Sequence, residues 1–198
     1  YGPIPLDGAE IDPAIIEVGR RYFAMNEPNL HAVAEDGRRF LTRSQRQYDV
    51  IAIDAYRPPY IPFHLTTREF FEEVRRHLTP NGVAAINVVR TVHDTRLVDA
   101  LASTMLTVFP SVFIIHEPLY GYDLGTSIVV ATNQSAQVEN FAANMPLLAG
   151  WPVLQEVARR AEPYIVPARF TGPVFTDDKA PVEQVVHAII LRYALGRD

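Results

Sequence analysis

The stretch Tyr48-Asp49-Val50-Ile51-Ala52-Ile53-Asp54-Ala55-Tyr56 admits few folds. It is a short, β-branched apolar run that ends in an acid, and Arg57-Pro58-Pro59 follows it. A run of this kind reads as a strand buried in a parallel sheet. In open α/β sheets, ligands collect outside the carboxyl ends of the strands. Asp54 therefore stands where chemistry happens. The alternative is that Asp54 only caps a turn.

The 198 residues suffice for one domain, spanning 1–198, with a sizeable core. Apolar residues make up 48% and charged residues 21%, an ordinary globular balance. A net charge of −5 gives no nucleic-acid footprint and suits a cationic or neutral small substrate. Without cysteine, disulfides and thiolate chemistry are excluded. No apolar stretch approaches the roughly 18 residues of a membrane span. Neither a membrane segment nor a signal peptide is expected, and a cytoplasmic setting is.

Along the chain, strand and helix alternate. Leu6 to Ile11 reads as a short strand, and Asp12-Pro13 opens a helix with Asp as N-cap and Pro at the first position. Leu30 to Ala34 is a second strand, ending in Glu35-Asp36-Gly37 before a short helix over 38–43. After the Tyr48–Asp54 strand, the loop 55–65 carries three prolines and two tyrosines and is expected to act as a lid. Thr66-Thr67-Arg68-Glu69 has capping-box spacing, and Glu72 and Arg76 form an i,i+4 pair on the helix that follows. Pro80-Asn81-Gly82 is expected to end that helix. Val83 to Val89 is another buried strand, and 94–109 an amphipathic helix. Val112 to His116 and Thr126 to Thr132 are expected to pair antiparallel. Helices fit 135–145 and 151–161, then a proline-rich coil, then a last helix over 181–195. The predicted fold is α/β, a doubly wound, mainly parallel sheet with one antiparallel strand near the C-terminus.

Three constellations carry chemistry. Glu10 stands at a strand end, where an acid accepts hydrogen bonds from both hydroxyls of a ribose. The other reading, an acid at a helix N-terminus, fits Asp12 better than Glu10. Asp36 can accept from an exocyclic amine such as that of adenine, with Gly37 allowing a sharp turn, or it can cap that turn. The set Asp54, Tyr56, Tyr60, Tyr120, Asp123, Asp177 and Asp178 could build a pocket that holds an amine and takes its proton. The adjacent pair Asp177-Asp178 equally suits a solvated cap. His64, His77, His93, His116 and His187 are scattered and read as structural. No Gly-x-Gly-x-x-Gly, Walker loop, metal-ligand spacing or Gly-x-Ser-x-Gly elbow is present.

Taken together, Ala9-Glu10-Ile11-Asp12-Pro13, Glu35-Asp36-Gly37-Arg38 and Tyr48–Asp54 resemble the spermidine synthase (polyamine aminopropyltransferase) family. Phe70-Phe71 leading to Leu78-Thr79-Pro80-Asn81-Gly82-Val83, and Pro118-Leu119-Tyr120, fit the same pattern. The ending Thr176-Asp177-Asp178-Lys179-Ala180-Pro181-Val182-Glu183 looks like the spermidine-synthase-like branch. The resemblance implies a methyltransferase-like Rossmann sheet of order 3-2-1-4-5-7-6. It implies transfer of an aminopropyl group from decarboxylated S-adenosylmethionine, a co-substrate rather than a tightly bound cofactor, to a small amine. Glu10 would match the ribose acid, Asp36 with Gly37 the adenine site, Asp54 the acid that deprotonates the amine, and Tyr120 a tyrosine beside it. On the reading of the residues given above, Tyr56, Tyr60, Asp123 and Asp177 would line the amine's site. No metal is needed.

Two departures accompany the resemblance. Arg57 stands where a second carboxylate is expected, and a cation there repels a diamine. The family's glycine-rich strand-turn precedes the ribose acid by about 20 residues, and only nine residues precede Glu10 here. The first strand and its loop are therefore expected to be missing. Two other functions stay open: a small-molecule methyltransferase, favoured by Arg57, and a non-catalytic nucleotide-binding or scaffold domain. A homodimer is among the assemblies left open.

Overall fold

A computed structural model describes residues 3–57, 59–118 and 124–196. The chain divides into two compact units, Tyr1–Arg46 and Gln47–Asp198.

In the first unit, β1 (Leu6–Glu10) and β2 (Leu30–Ala34) pair in parallel, from Leu6↔Leu30 to Glu10↔Ala34. Helix α1 (Pro13–Tyr22) connects them, and α2 (Gly37–Arg43) follows β2. The start of α1 is as the sequence predicts. Asp12 Oδ1 accepts from the Ala14 N–H at 2.8 Å, and Pro13 takes the first helical position, where its missing N–H costs nothing. The side chain of Asp7 is buried, and its carboxylate takes both a two-pronged bond from Arg46 and a contact with His31. Among the described residues of this unit, Ile16 and Leu41 are the buried apolar ones.

The second unit contains β3 (Tyr48–Ile53), α3 (Arg68–Arg76), β4 (Leu78–Thr91), α4 (Arg96–Leu106), β5 (Ser111–His116) and β6 (Leu124–Thr132). It continues with α5 (Glu139–Asn144), α6 (Pro152–Ala161), β7 (Ile165–Pro167) and α7 (Val182–Ala194). The sheet order is β3-β4-β6-β5-β7. β3 and β4 are parallel, and the other pairs are antiparallel. Alternation along β4 buries Ala84, Ile86 and Val88 against α3, α4 and α7. Phe71, Val74, Leu97, Leu101, Met105, Val186 and Ile189 supply the helical side of that core. The orders β2-β1 and β3-β4-β6-β5 match the segments 3-2 and 4-5-7-6 of the expected sheet.

Several expectations are corrected. β7 is a second antiparallel strand, inside a segment predicted as coil; it pairs Phe113–Ile115 with Ile165–Pro167. Pro80-Asn81-Gly82 lies within β4 instead of ending α3. From Tyr48↔Leu78 to Val50↔Val83, β3 advances two residues and β4 five, so an irregularity in the pairing absorbs the proline. The N-cap of α3 is Thr67, not Thr66: its Oγ1 accepts from the Phe70 N–H at 3.3 Å. Thr66 Oγ1 instead donates to the Phe63 carbonyl at 2.6 Å, and Glu69 receives the Asp177 N–H. Glu72 pairs with Arg68 at 3.6 Å, not with Arg76. β3 is less buried than its apolar run suggests, with Val50 63% exposed. It is an edge strand of this sheet.

The loop 55–65 is not structureless. Phe63–Leu65 form a 3-10 turn, and Arg57 and Tyr60 exchange backbone hydrogen bonds at 2.7 and 2.9 Å. The coil before α7 is strapped to α4: the Thr171 and Gly172 N–H groups donate to Ser103 Oγ, and the Phe175 N–H donates to Thr104 Oγ1. Gly172 passes so close that a Cβ would stand 2.5 Å from Ala100 N, which explains glycine there.

Candidate functional site

In the first unit, two of the acids singled out in the sequence close adjacent strands. Glu10 ends β1, and its Oε1 accepts the Asp12 N–H at 2.8 Å, which fixes the carboxylate over the turn into α1. Asp36 follows β2 and caps α2, with Oδ1 accepting from the Arg39 N–H at 3.0 Å. Its neighbour Glu35 is spanned by Arg39 at 3.0 Å and Arg43 at 2.8 Å. Gly37 is the first residue of α2 and has no positive φ, so no left-handed turn calls for glycine. Nothing lies within 4 Å of where its Cβ would be, leaving backbone open beside Asp36.

In the second unit, Asp54 follows β3. The register ends at Ile53↔Ile86, and one step further sets Asp54 opposite Asn87 of β4. Asn87 Nδ2 donates to Asp54 Oδ1 at 3.1 Å. Asn87 Oδ1 is buried and, among the described residues, has no hydrogen-bond partner. A buried unpaired carbonyl of this kind costs about 1–3 kcal/mol. Turning the amide over would put that carbonyl against the Asp54 carboxylate, so the acid dictates which way the amide points.

Tyr56 locks the same strand. Its hydroxyl donates to the Asn87 carbonyl at 3.0 Å and accepts the Val89 N–H at 3.1 Å. β6 holds the other edge of β4 as far as Thr91, so the tyrosine supplies the ladder contacts that β3 no longer provides. Burial pushes the phenol up to about 12, with the Asp54 charge adding to the rise against the Val89 hydrogen bond.

Other predicted residues are committed elsewhere. The Tyr60 hydroxyl bonds His187 Nε2 of α7, edge-on to its ring. Asp177 Oδ1 accepts from Thr67 Oγ1 at 2.6 Å, tying the segment before α7 to the start of α3. Asp178 is exposed in the Thr176–Lys179 turn. Tyr120 and Asp123 lie outside the described residues.

The sequence reading passed over two residues of β4. Asn87 is one. Arg90 is the other: it is buried, and it donates to Ser127 Oγ at 2.9 Å, the Thr91 carbonyl at 3.2 Å and the Glu117 carbonyl at 2.6 Å. His116 Nδ1 meets the same Ser127 Oγ at 2.9 Å. Burial, then the Arg90 charge, lowers the His116 pKa below its ordinary value. The signal was available: Asn87 and Arg90 are polar residues inside an otherwise apolar strand run, and buried polar groups in such runs have assigned partners.

The sequence profile of the spermine/spermidine synthase domain matches residues 6–140. The chain belongs to this family. It is 31% identical over 216 residues to a probable polyamine aminopropyl transferase of Bifidobacterium longum, covering 96% of this chain and 45% of that protein. The chain thus spans less than half of that family member's length. The fold is also that of the family's solved structures. A probable spermidine synthase from Corynebacterium glutamicum superposes with a TM-score of 0.61 at 23% identity, over 84% of this chain and 63% of that one. A spermidine synthase in complex with the transition-state analogue AdoDATO gives 0.58 at 21% identity, over 66% and 47%. Among the described residues, no helix is long and apolar enough to cross a membrane.

Proposed function

We propose that this domain carries out aminopropyl transfer from decarboxylated S-adenosylmethionine to a small amine. The observation that carries the reading is an acid, Asp54, at the strand end where the family's proton-accepting acid is expected, in a chain whose family profile covers Glu10, Asp36 and Asp54 alike. A structural neighbour, a spermidine synthase in complex with the transition-state analogue AdoDATO, supports an adenosyl co-substrate.

In this mechanism Glu10 accepts from the ribose hydroxyls, and Asp36 accepts from the adenine amine beside the open backbone of Gly37. Asp54 orients the acceptor amine and takes a proton from it. The nitrogen lone pair attacks the aminopropyl carbon next to the sulfonium; the C–N bond forms, the C–S bond breaks, and its electrons neutralise sulfur. Methylthioadenosine leaves. The sulfonium is already an activated leaving group, so the protein's contribution is alignment and proton removal.

Arg57, a cation following Asp54, favours a second reading, methyl transfer from S-adenosylmethionine to a less cationic acceptor. Calorimetry on the full-length protein separates the two. Tighter binding of decarboxylated S-adenosylmethionine than of S-adenosylmethionine is the expected result. The reverse preference supports methyl transfer, and no binding of either, or of methylthioadenosine, supports a non-catalytic domain.

A further inference from the structure

Asn87 is an awkward residue for a buried strand. Its Nδ2 holds Asp54 Oδ1, while its own Oδ1 is buried with no partner among the described residues. Asp54 is exposed and could be hydrated without help. The asparagine is therefore not required to satisfy the acid, and an apolar residue of the same shape would leave nothing orphaned. Local rules broken without a stability gain point to function.

We infer that Asn87 is a positioning residue for Asp54. Its amide fixes one carboxylate oxygen and so presents the other, Oδ2, to the acceptor amine. Three features make the hold rigid. Asn87 sits within β4, paired on one side to Ile128 of β6. The Tyr56 hydroxyl clamps the backbone at Asn87 and Val89 on the other side. The carboxylate itself forbids the flipped amide. Asp54, lying just beyond the last paired residue of β3, would otherwise rotate freely about its side-chain bonds. The inference rests on the aminopropyl-transfer reading, because the amine is the group to which Oδ2 is presented.

The test uses Asn87→Leu and Asn87→Asp in the full-length protein, with aminopropyl transfer, methylthioadenosine binding and thermal unfolding all measured. Asn87→Leu removes the orphaned carbonyl and the donor together. It should melt no lower than the parent and bind methylthioadenosine equally well, while kcat falls about tenfold. Asn87→Asp sets a second carboxylate against Asp54, so the two share a proton and the acid limb of the kcat–pH profile moves up by about one unit. A purely architectural asparagine would instead leave kcat unchanged in a folded Asn87→Leu variant. An active parent whose Asn87→Leu variant keeps its kcat, or loses it only along with its fold, overturns the inference alone. An unmoved acid limb in a folded Asn87→Asp variant shows instead that Asp54 is not the group titrating in kcat, and overturns the functional reading. A parent with no transfer to any amine overturns the functional reading and this inference with it.

Discussion

Glu10 and Asp36 are held by backbone N–H groups of the turns they begin, whereas Asp54 is held by a single side-chain amide from the neighbouring strand. The two arrangements suit different work. A carboxylate locked to its own backbone needs no long-range packing to point correctly, and it is a fixed acceptor. Such a group can be built in the first unit, where Ile16 and Leu41 are the buried apolar residues among those described. A carboxylate aimed by a side chain of another strand depends on long-range packing for its direction. That arrangement needs a rigid strand beneath it, which the second unit supplies through β4, paired on both edges and packed on α3, α4 and α7.

This contrast can be broken by substitution. The largest effect is expected for Asp54→Asn, which removes the proton acceptor: kcat should fall by about 10²–10⁴-fold, with methylthioadenosine affinity nearly unchanged in titration calorimetry. A large loss of affinity instead would put Asp54 among the nucleotide-binding groups and erase the contrast. Glu10→Gln should do the opposite. Losing charge-assisted hydrogen bonds of about 1.5–3 kcal/mol raises the methylthioadenosine Kd roughly 10- to 100-fold, while kcat at saturating nucleotide is kept.

Tyr56→Phe probes the support under Asp54. It strands the Asn87 carbonyl and the Val89 N–H, so chemical denaturation should show a loss of about 1–3 kcal/mol. Its pH dependence has a definite sign. The folded-state phenol lies near 12 against an ordinary 10.0, so its contribution is complete below pH 10 and is lost as pH rises toward 12. The phenylalanine variant should therefore lack that part of the alkaline destabilisation seen in unfolding measured across this range. The smallest effect is expected from Asp177→Ala. Its tie to Thr67 is worth about 0.5–1.5 kcal/mol, and the KM for the amine should stay the same; a raised KM would return Asp177 to the substrate site.

Much of this was legible because it is local. Asp12-Pro13 specifies a helix start, and Asp36 caps the helix after β2, by bonds that reach two and three residues along the chain. The apolar run Tyr48–Ile53 reads as a strand whatever surrounds it. Errors arose where distant partners decide. Thr66 and Thr67 are both competent caps, and Thr67 wins in a setting where its hydroxyl also donates to Asp177, 110 positions away. Pro80 reads as a helix stop, yet irregular pairing against β3 carries it inside β4. Ile165–Pro167 looks like coil until β5 offers it an edge.

The sequence by itself determined the α/β class, the alternation of strands and helices, and the three strand-end acids, because periodicity and capping act over a few residues. Only the tertiary structure decided what each acid touches. Asn87 lies 33 positions from Asp54, and Tyr56 reaches the backbone of β4 across a comparable span. Nothing in the linear order brings these groups together. Register does, by setting Ile53 against Ile86, and the one-residue step beyond that pair sets the acid beside the amide that holds it.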